Sequence, residues 1–330
     1  MLKFSKIIIL SIFIILTFSK SYSAEDNFKL WLTKFKKYAT SKGISASTVE
    51  SVMGDAKFLS KVIEYDNRQP EFFEKTNEYI SKRATLIAAK KAKIKYRQNK
   101  NLFEKIEKEF KIEKELILAL WSTETNFGNY LGKMDIISSL ATLSFDKRRS
   151  EFFTRELITL LKLIDNKILS KDMLYGSWAG ALGNFQFMPS SIKLYGIDYN
   201  KDGIIDLKKS EEDSIASAAN YLNKIGWKYN YGCFEKVKFN DEINPKYFNH
   251  SARNIKNKNL LSFWKLKGIV KHDNTNFLLN GKLALVLPDG DKKSPKYLTN
   301  ENYEKILKWN RSLRFALSIC TLKEMISNEL

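Results

Sequence analysis

The stretch Leu116 to Gly132, LILALWSTETNFGNYLG, limits the fold more than any other part of this 330-residue chain. It opens as an apolar helical run and ends in Asn and Gly residues that stop a helix. One carboxylate, Glu124, stands near the end of the run. The positions three, four, seven and eight residues before it are Trp121, Leu120, Ile117 and Leu116. Those offsets share one helix face, so Glu124 is the single charge on an apolar stripe. Burial disfavours the ionised form of a carboxylic acid, and a Glu tuned upward in this way can hold a proton near neutral pH and donate it. The plain alternative is a Glu at the edge of the stripe, paired to a Lys or Arg.

A chain of this length can form two or three packed units. Its 44% hydrophobic and 13% aromatic residues fit globular cores and exclude a disordered polymer. Residues 1–23 read as an export leader: Lys3 and Lys6, then a mostly apolar run from Ile7 to Phe18, then small residues at Ser21 and Ser23. The expectation is cleavage after Ser23, with an uncleaved anchor as the competing reading. No Cys stands near that point to carry a lipid, and no later segment is long and apolar enough to span a membrane. The expected location is therefore exported, in the periplasm.

The formal charge of +19 includes Lys3, Lys6 and Lys20 of the leader. The remaining lysines are scattered and lack a nucleic-acid-binding signature, so the expected partner is an anionic envelope component and not nucleic acid. Cys233 and Cys320 allow one disulfide in an oxidising compartment, and pairing and non-pairing both stay open. His250 and His272 are too few for a His-rich metal site.

Along the chain, Phe28, Trp31, Phe35 and Tyr38 recur at helical offsets. Ser47 and Glu50 have capping-box spacing and predict a helix starting at Ser47. Pro70 breaks the pattern, and a long helix is expected from Glu71 toward Asn101. Helical signals run from Phe103 to Thr125, apolar character returns from Ile136 to Leu143, and Ser150 to Ile164 is amphipathic. Gly176 to Ser191 alternates small residues with aromatics. Its glycines permit close approach either of another element or of a ligand, with Ser177 and Gln186 as polar contacts in the second case. Pro189 predicts a helix start.

Asp198 to Asp206, DYNKDGIID, matches the first part of an EF-hand loop. It offers Asp198, Asn200, Asp202, the carbonyl of Ile204, and Asp206 to a structural Ca2+. Position twelve holds Lys209, which leaves Glu211, Glu212 or Asp213 to supply the last ligand. A solvated Asp-Gly turn is the alternative. A helix is expected from Ser214 to Ile225. Short strands then follow at Val237–Phe239, Leu260–Leu266, Gly268–Val270 and Leu283–Leu287. A single helix from Tyr303 to about Met325 closes the chain, with Trp309-Asn-Arg-Ser312 inside it.

Taken together, WSTETNFG at 121–128, LATLSFDKRR at 140–149, GSWAGALGNFQFMPSS at 176–191, DYNKDGIIDL at 198–207, ANYL at 219–222 and WNRS at 309–312, with DNRQPEF at 66–72, resemble the membrane-bound lytic murein transglycosylase B family. The resemblance implies a mainly α, α+β fold with a lysozyme-like helical core, an additional helical region and a small β-containing subdomain. The expected partition is 24–105 for the N-terminal helical region and 106–230 for the core with its EF-hand-like loop. Residues 231–302 would form the β part, and 303–330 a helix packing back on the helical region. The family cleaves the β-1,4 bond between N-acetylmuramic acid and N-acetylglucosamine in peptidoglycan glycan strands, without a cofactor in the chemistry, and leaves a 1,6-anhydro ring. The implied acid, then base, is Glu124. Ser177, Gln186, Phe187, Trp309 and Asn310 fall on groove positions. The chain departs from the family in having Trp309 and Phe315 where the family has Tyr. A hydrolytic muramidase and an inactive wall-binding protein are the rival readings.

Overall fold

Why the apolar run at 116–121 has no polar side becomes plain once its neighbours are placed. The computed structural model describes residues 24–68, 74–239 and 243–330. The leader, Pro70 and part of the 66–72 motif lie outside these residues. Six helices come first: α1 (Ala24–Ser41), α2 (Ala46–Met53), α3 (Ser60–Asn67), α4 (Thr76–Arg83), α5 (Leu86–Gln98) and α6 (Lys100–Phe110). Then α7 (Lys114–Thr125) passes through the middle, and Leu116 to Trp121 are each at most 1% exposed. A helix apolar all round must be enclosed. Around it pack α5, α6, α11 (Glu211–Lys224) and the last helix, α14 (Leu313–Glu329). Each aliphatic side chain buried this fully contributes about 1.5–3 kcal/mol.

Between α7 and α11 lie a two-stranded ribbon of β1 (Met134–Asp135) and β2 (Tyr175–Gly176), and the helices α8 (Ile136–Phe145), α9 (Ser150–Asp165) and α10 (Pro189–Tyr195). After α11 come β3 (Phe234–Phe239), β4 (Phe248–Asn249), β5 (Asn259–Leu260), α12 (Leu261–Leu266), β6 (Ile269–Lys271), β7 (Lys282–Val286) and β8 (Lys296–Thr299). Finally α13 (Glu301–Trp309) leads into α14. The sheet order is β4-β7-β8-β3-β6, with β5 also on β7, and only β4 runs parallel to its neighbour. Successive side chains of β7 face opposite cores. Leu283, Leu285 and Leu287 join Val237, Trp264 and Leu298 in a small core, while Ala284 and Val286 join the large helical one. The mainly helical α+β class agrees with the sequence expectation.

Several boundaries differ from expectation for local reasons. The helix predicted to start at Ser47 starts two residues earlier: Ser45 is the cap, accepting from the Thr48 N–H, and Glu50 pairs with Lys36 instead of closing a box. Among the described residues, the long helix expected from Glu71 toward Asn101 is interrupted twice: Ala84 and Thr85 are non-helical, with Thr85 capping α5 by accepting from Ala88 N, and Asn99 separates α5 from α6. Residues 103–125 are likewise split, at Lys111, where φ is 54°. Leu261–Leu266, expected as a strand, is helical, and Trp264 within it donates to the Leu283 carbonyl at 2.8 Å. The closing helix is broken at Asn310–Ser312, where the Ser312 hydroxyl caps α14 by accepting from Phe315.

Buried charges tie the layers together. Asp66 pairs with Arg148 and Arg149, which joins the DNRQ and DKRR motifs. Glu113 accepts from Trp227 Nε1, Asn230 N and Lys323 Nζ at 2.6–3.0 Å. The disulfide Cys233–Cys320 fixes the entry to β3 against α14.

Asp289, in the turn after β7, accepts from Thr76 N, Thr76 Oγ1 and Arg314, and its side chain is 3% exposed. Burial alone would raise its pKa, but the hydrogen bonds from Thr76 and Arg314 outweigh that and hold it below the usual carboxylate value of 3.8. A depressed native pKa stabilises the fold above the unfolded value, and the stabilisation is lost as the pH falls through the native one. Asp289→Asn is therefore expected to cost about 1.5–3 kcal/mol at neutral pH. It should also flatten the loss of stability below about pH 4. Urea titrations at a series of pH values check both, and parallel curves for the two proteins would refute the assignment.

Candidate active site

The last turn of α7 carries the site. Asn126, Phe127 and Gly128 all have positive φ (49°, 60° and 82°), so the chain leaves the helix abruptly. Thr125 braces this exit: its hydroxyl donates to the Asn184 carbonyl at 2.7 Å and accepts from Gly128 N at 3.0 Å. Glu124, one residue earlier, is half-buried. Its Oε1 accepts a 2.9 Å hydrogen bond from Trp309 Nε1. The carboxylate thus meets an indole N–H contributed by the end of α13, 185 residues away. The break at Asn310–Ser312 follows Trp309 directly and lets α14 turn to pack along α7.

Trp309 is the end of an aromatic stack. Its ring lies 4.7 Å from Tyr221 at 19°, and Tyr221 lies 4.2 Å from Tyr195 at 7°. Phe187 and Phe185 meet Trp309 edge-on at 5.2 and 6.4 Å. Burial pushes the Tyr221 hydroxyl up to about 12, with Tyr195 beside it adding to the shift. It stays a neutral donor to the Lys308 carbonyl at 3.1 Å. Neither tyrosine was singled out in the sequence. The ANYL motif contains Tyr221, and its helical position opposite an aromatic-rich segment was the available signal.

The segment 176–191 folds back as a small loop. Leu182 and Phe187 exchange backbone hydrogen bonds at 2.9 Å across a turn of Gly183 to Gln186. Gly183 has φ 70°, and a Cβ there would stand 2.2 Å from the Leu207 carbonyl oxygen. At Gly132, a Cβ would meet the Gly176 carbonyl oxygen at 2.1 Å. Of the two roles open for such glycines, clearance for another part of the chain is the one these contacts support.

Asn184, 4% exposed, is the joint that sequence reasoning missed. Its Oδ1 accepts from Trp121 Nε1 at 2.9 Å, and its Nδ2 donates to the carbonyls of Leu207 and Lys208 and to Ser214 Oγ. One amide therefore fastens α7, the loop and α11. Gln186 adopts φ 51° and donates to the Gly183 carbonyl at 2.9 Å. Ser177 accepts from Ala181 N at 2.9 Å. Phe187 is 2% exposed and lies behind Trp309, and Asn310 is half-buried beside it. Asp135 caps α8, and Asp146 accepts from Arg148 N, so both carboxylates have local structural work.

In the loop 198–206 the acidic side chains bond the loop itself. Asp198 accepts from Asp202 N and Gly203 N, Asn200 from Asp202 N, and Asp202 from Ile204 N. Asp206 turns toward Lys208 N and Lys209 N. Asp213, fully buried, accepts from Tyr199, Asn200 and Asp206 and so closes the loop onto α11. These are hard oxygen donors of the kind Ca2+ takes. Among the described residues, however, no group of three His, Cys, Asp or Glu side chains is arranged to hold a metal ion. In this structure Asp198, Asn200, Asp202 and Asp206 bond within the loop, and these donors would have to turn to meet a cation.

A model of the transglycosylase SLT domain family matches residues 27–324. The membrane-bound lytic murein transglycosylase B of Escherichia coli (strain K12) is 32% identical over 201 residues, which is 58% of this chain and 55% of that protein, so the match spans little more than half of that relative's length. Among solved structures, SltB3 from Pseudomonas aeruginosa in complex with NAG-anhNAM-pentapeptide superposes with a TM-score of 0.82 at 27% identity, covering 91% of this chain and 79% of that one. The Escherichia coli lytic transglycosylase Slt35 in complex with calcium gives 0.75 at 24% identity, covering 94% and 95%, a likeness of fold alone. Among the described residues no helix is long and apolar enough to cross a membrane. With the family model spanning almost all of the described structure, the chain belongs to the transglycosylase SLT domain family.

Proposed function

We propose that this protein is a lytic transglycosylase of peptidoglycan. It would cleave the β-1,4 bond between N-acetylmuramic acid and N-acetylglucosamine and close a 1,6-anhydro ring. The observation that carries the reading is the Glu124–Trp309 contact: a half-buried carboxyl group at a helix end, met by the Trp309 indole N–H and walled by stacked aromatics. Family membership and the bound muropeptide of the Pseudomonas aeruginosa relative support the substrate class.

Most glycosidases place two carboxyl groups across the bond. Here Asp135 and Asp146 are committed to backbone donors, which favours a mechanism with one. Glu124 protonates the leaving oxygen while the neighbouring N-acetyl group stabilises the developing cation. Glu124 then takes the proton from the muramyl 6-hydroxyl, whose oxygen bonds the anomeric carbon. Ser177, Gln186 and Asn310 supply polar contacts to the sugars, and the aromatic wall of Trp309 and Phe187 restricts water. The Cys233–Cys320 disulfide favours an oxidising compartment and hence export to the periplasm.

Digestion of purified peptidoglycan followed by mass spectrometry tests the reading. Anhydro-muramyl ends, one water lighter than reducing ends, are expected. Reducing ends would make the protein a hydrolytic muramidase, and undigested wall a binding protein.

Trp309→Phe keeps a ring in the stack and removes the N–H donor. A hydrogen bond to a charged group is worth about 1.5–3 kcal/mol, so kcat is expected to fall at least about tenfold with KM little changed. A change confined to KM would make Trp309 a sugar platform only.

We also propose that the 198–206 loop takes Ca2+ as a structural ion once Asp202 and Asp206 turn inward. Added Ca2+ is then expected to raise the melting temperature and a chelator to lower it, with product chemistry unchanged. Identical melting in both conditions would leave a self-bonded Asp-Gly turn.

A further inference from the structure

Helix α5 is built inside out. Its buried positions are the small Ala89 and Ala92, which let it lie close to α7 and α14. Its large aliphatic residues point to solvent: Leu86, Ile87 and Ile94 are 51%, 70% and 56% exposed. Lys90, Lys91 and Arg97 share that outward face and are exposed too. The spacing 86, 87, 90, 91, 94, 97 is one helical stripe, about 16 Å long.

No acidic residue occurs between Leu86 and Gln98. The other two lysines of the helix are used within the fold: Lys93 donates to the Glu329 carbonyl, and Lys95 pairs with Glu211. Among the described residues Lys90, Lys91 and Arg97 take part in no ion pair.

Aliphatic side chains left in water beside uncompensated cations mark a surface made for a partner that is apolar within and anionic at its boundary. A glycan strand offers the aliphatics nothing, and a second copy of this basic face would bring like charges together. We propose that the outward face of α5 docks on an anionic lipid bilayer, with Leu86, Ile87 and Ile94 at the level of the upper acyl chains and Lys90, Lys91 and Arg97 on lipid phosphates. Long basic side chains suit this, since their stems lie along apolar surface while their charges reach the head groups. Lys91 Nζ also lies 3.5 Å from Asn126 Oδ1, so the docked face adjoins the end of α7 that carries Glu124.

The test is co-sedimentation of the full chain with vesicles of phosphatidylglycerol and phosphatidylcholine, and with phosphatidylcholine alone. The double variants Ile87→Ser/Ile94→Ser and Lys90→Glu/Lys91→Glu are compared with the parent and with Leu30→Ser, which changes an exposed leucine of α1. All carry residues 1–23, so differences between them report the helix face. Each double variant is expected to bind the anionic vesicles at least about tenfold more weakly. Leu30→Ser should match the parent, and salt should weaken the parent's binding. Equal binding by parent and α5 variants overturns the proposal. So does an equal loss in Leu30→Ser, or concentration-dependent self-association that the Ile87→Ser/Ile94→Ser change abolishes without altering vesicle binding.

Discussion

Glu124→Gln is expected to fold like the parent and to lose wall-cleaving activity by about 10²- to 10⁴-fold, the usual worth of a positioned general acid or base. The substitution keeps the shape of the side chain and an oxygen that can accept from Trp309 Nε1. It cannot donate a proton to the leaving oxygen, nor take one from the 6-hydroxyl. In a mechanism with one carboxyl group both half-reactions pass through the same atoms, so the loss should fall on kcat, with binding of muropeptides retained. The unchanged fold is a real expectation: the end of α7 is held by hydrogen bonds among Trp121, Thr125, Gly128 and Asn184 that run through other atoms. A cooperative melt at the parent's temperature together with parental turnover would remove Glu124 from the chemistry. A lowered melt with lost activity would instead mark it as structural, and the Trp309→Phe kinetics would then separate the two.

The candidate site is legible in the sequence where chemistry and local rules coincide, and hidden where tertiary contacts decide. Glu124 stood out because a charge at the end of an apolar helix is locally odd. Pro189 marked a helix start because proline at the first helical position is locally favoured. Asn184 gave no such signal. Its worth lies in carbonyls supplied by residues more than 20 positions away, and an Asn between Gly and Phe reads as a turn. Trp309 was visible as an aromatic but not as the donor to Glu124, since the helical period runs on through 309–312 and gives no reason to break there. The break comes from Ser312 capping α14 and from Tyr303, buried beneath it, donating to the Leu313 carbonyl at 2.8 Å. Leu261–Leu266 failed in the other direction: a short, mostly apolar run fits either period, and the requirement to seat Trp264 under β7 selected the helix.

Replacing Cys233 and Cys320 by Ala is expected to cost about 4–5 kcal/mol, the chain-entropy value for a bridge closing a loop of this size. The two residues are 87 positions apart and at most 3% exposed. The bridge spans the entire β part, from the start of β3 through β8, and α13 as well, and ends in the middle of α14. Both ends sit where other anchors already converge. The Asn300 N–H donates to the Cys233 carbonyl, and Lys323 on α14 pairs with Glu113 at the head of α7. Those anchors act in the native state, whereas the bridge chiefly limits the unfolded chain. Reduction should therefore lower the unfolding midpoint in urea without changing the position of Trp309 against Glu124. The expected result is a destabilised protein whose activity per folded molecule matches the parent. Loss of activity at urea concentrations where the fold persists would show that the bridge holds α13, and with it Trp309, in place. An unchanged midpoint would show that the anchors alone organise residues 233–320 in the unfolded ensemble as well as in the folded one.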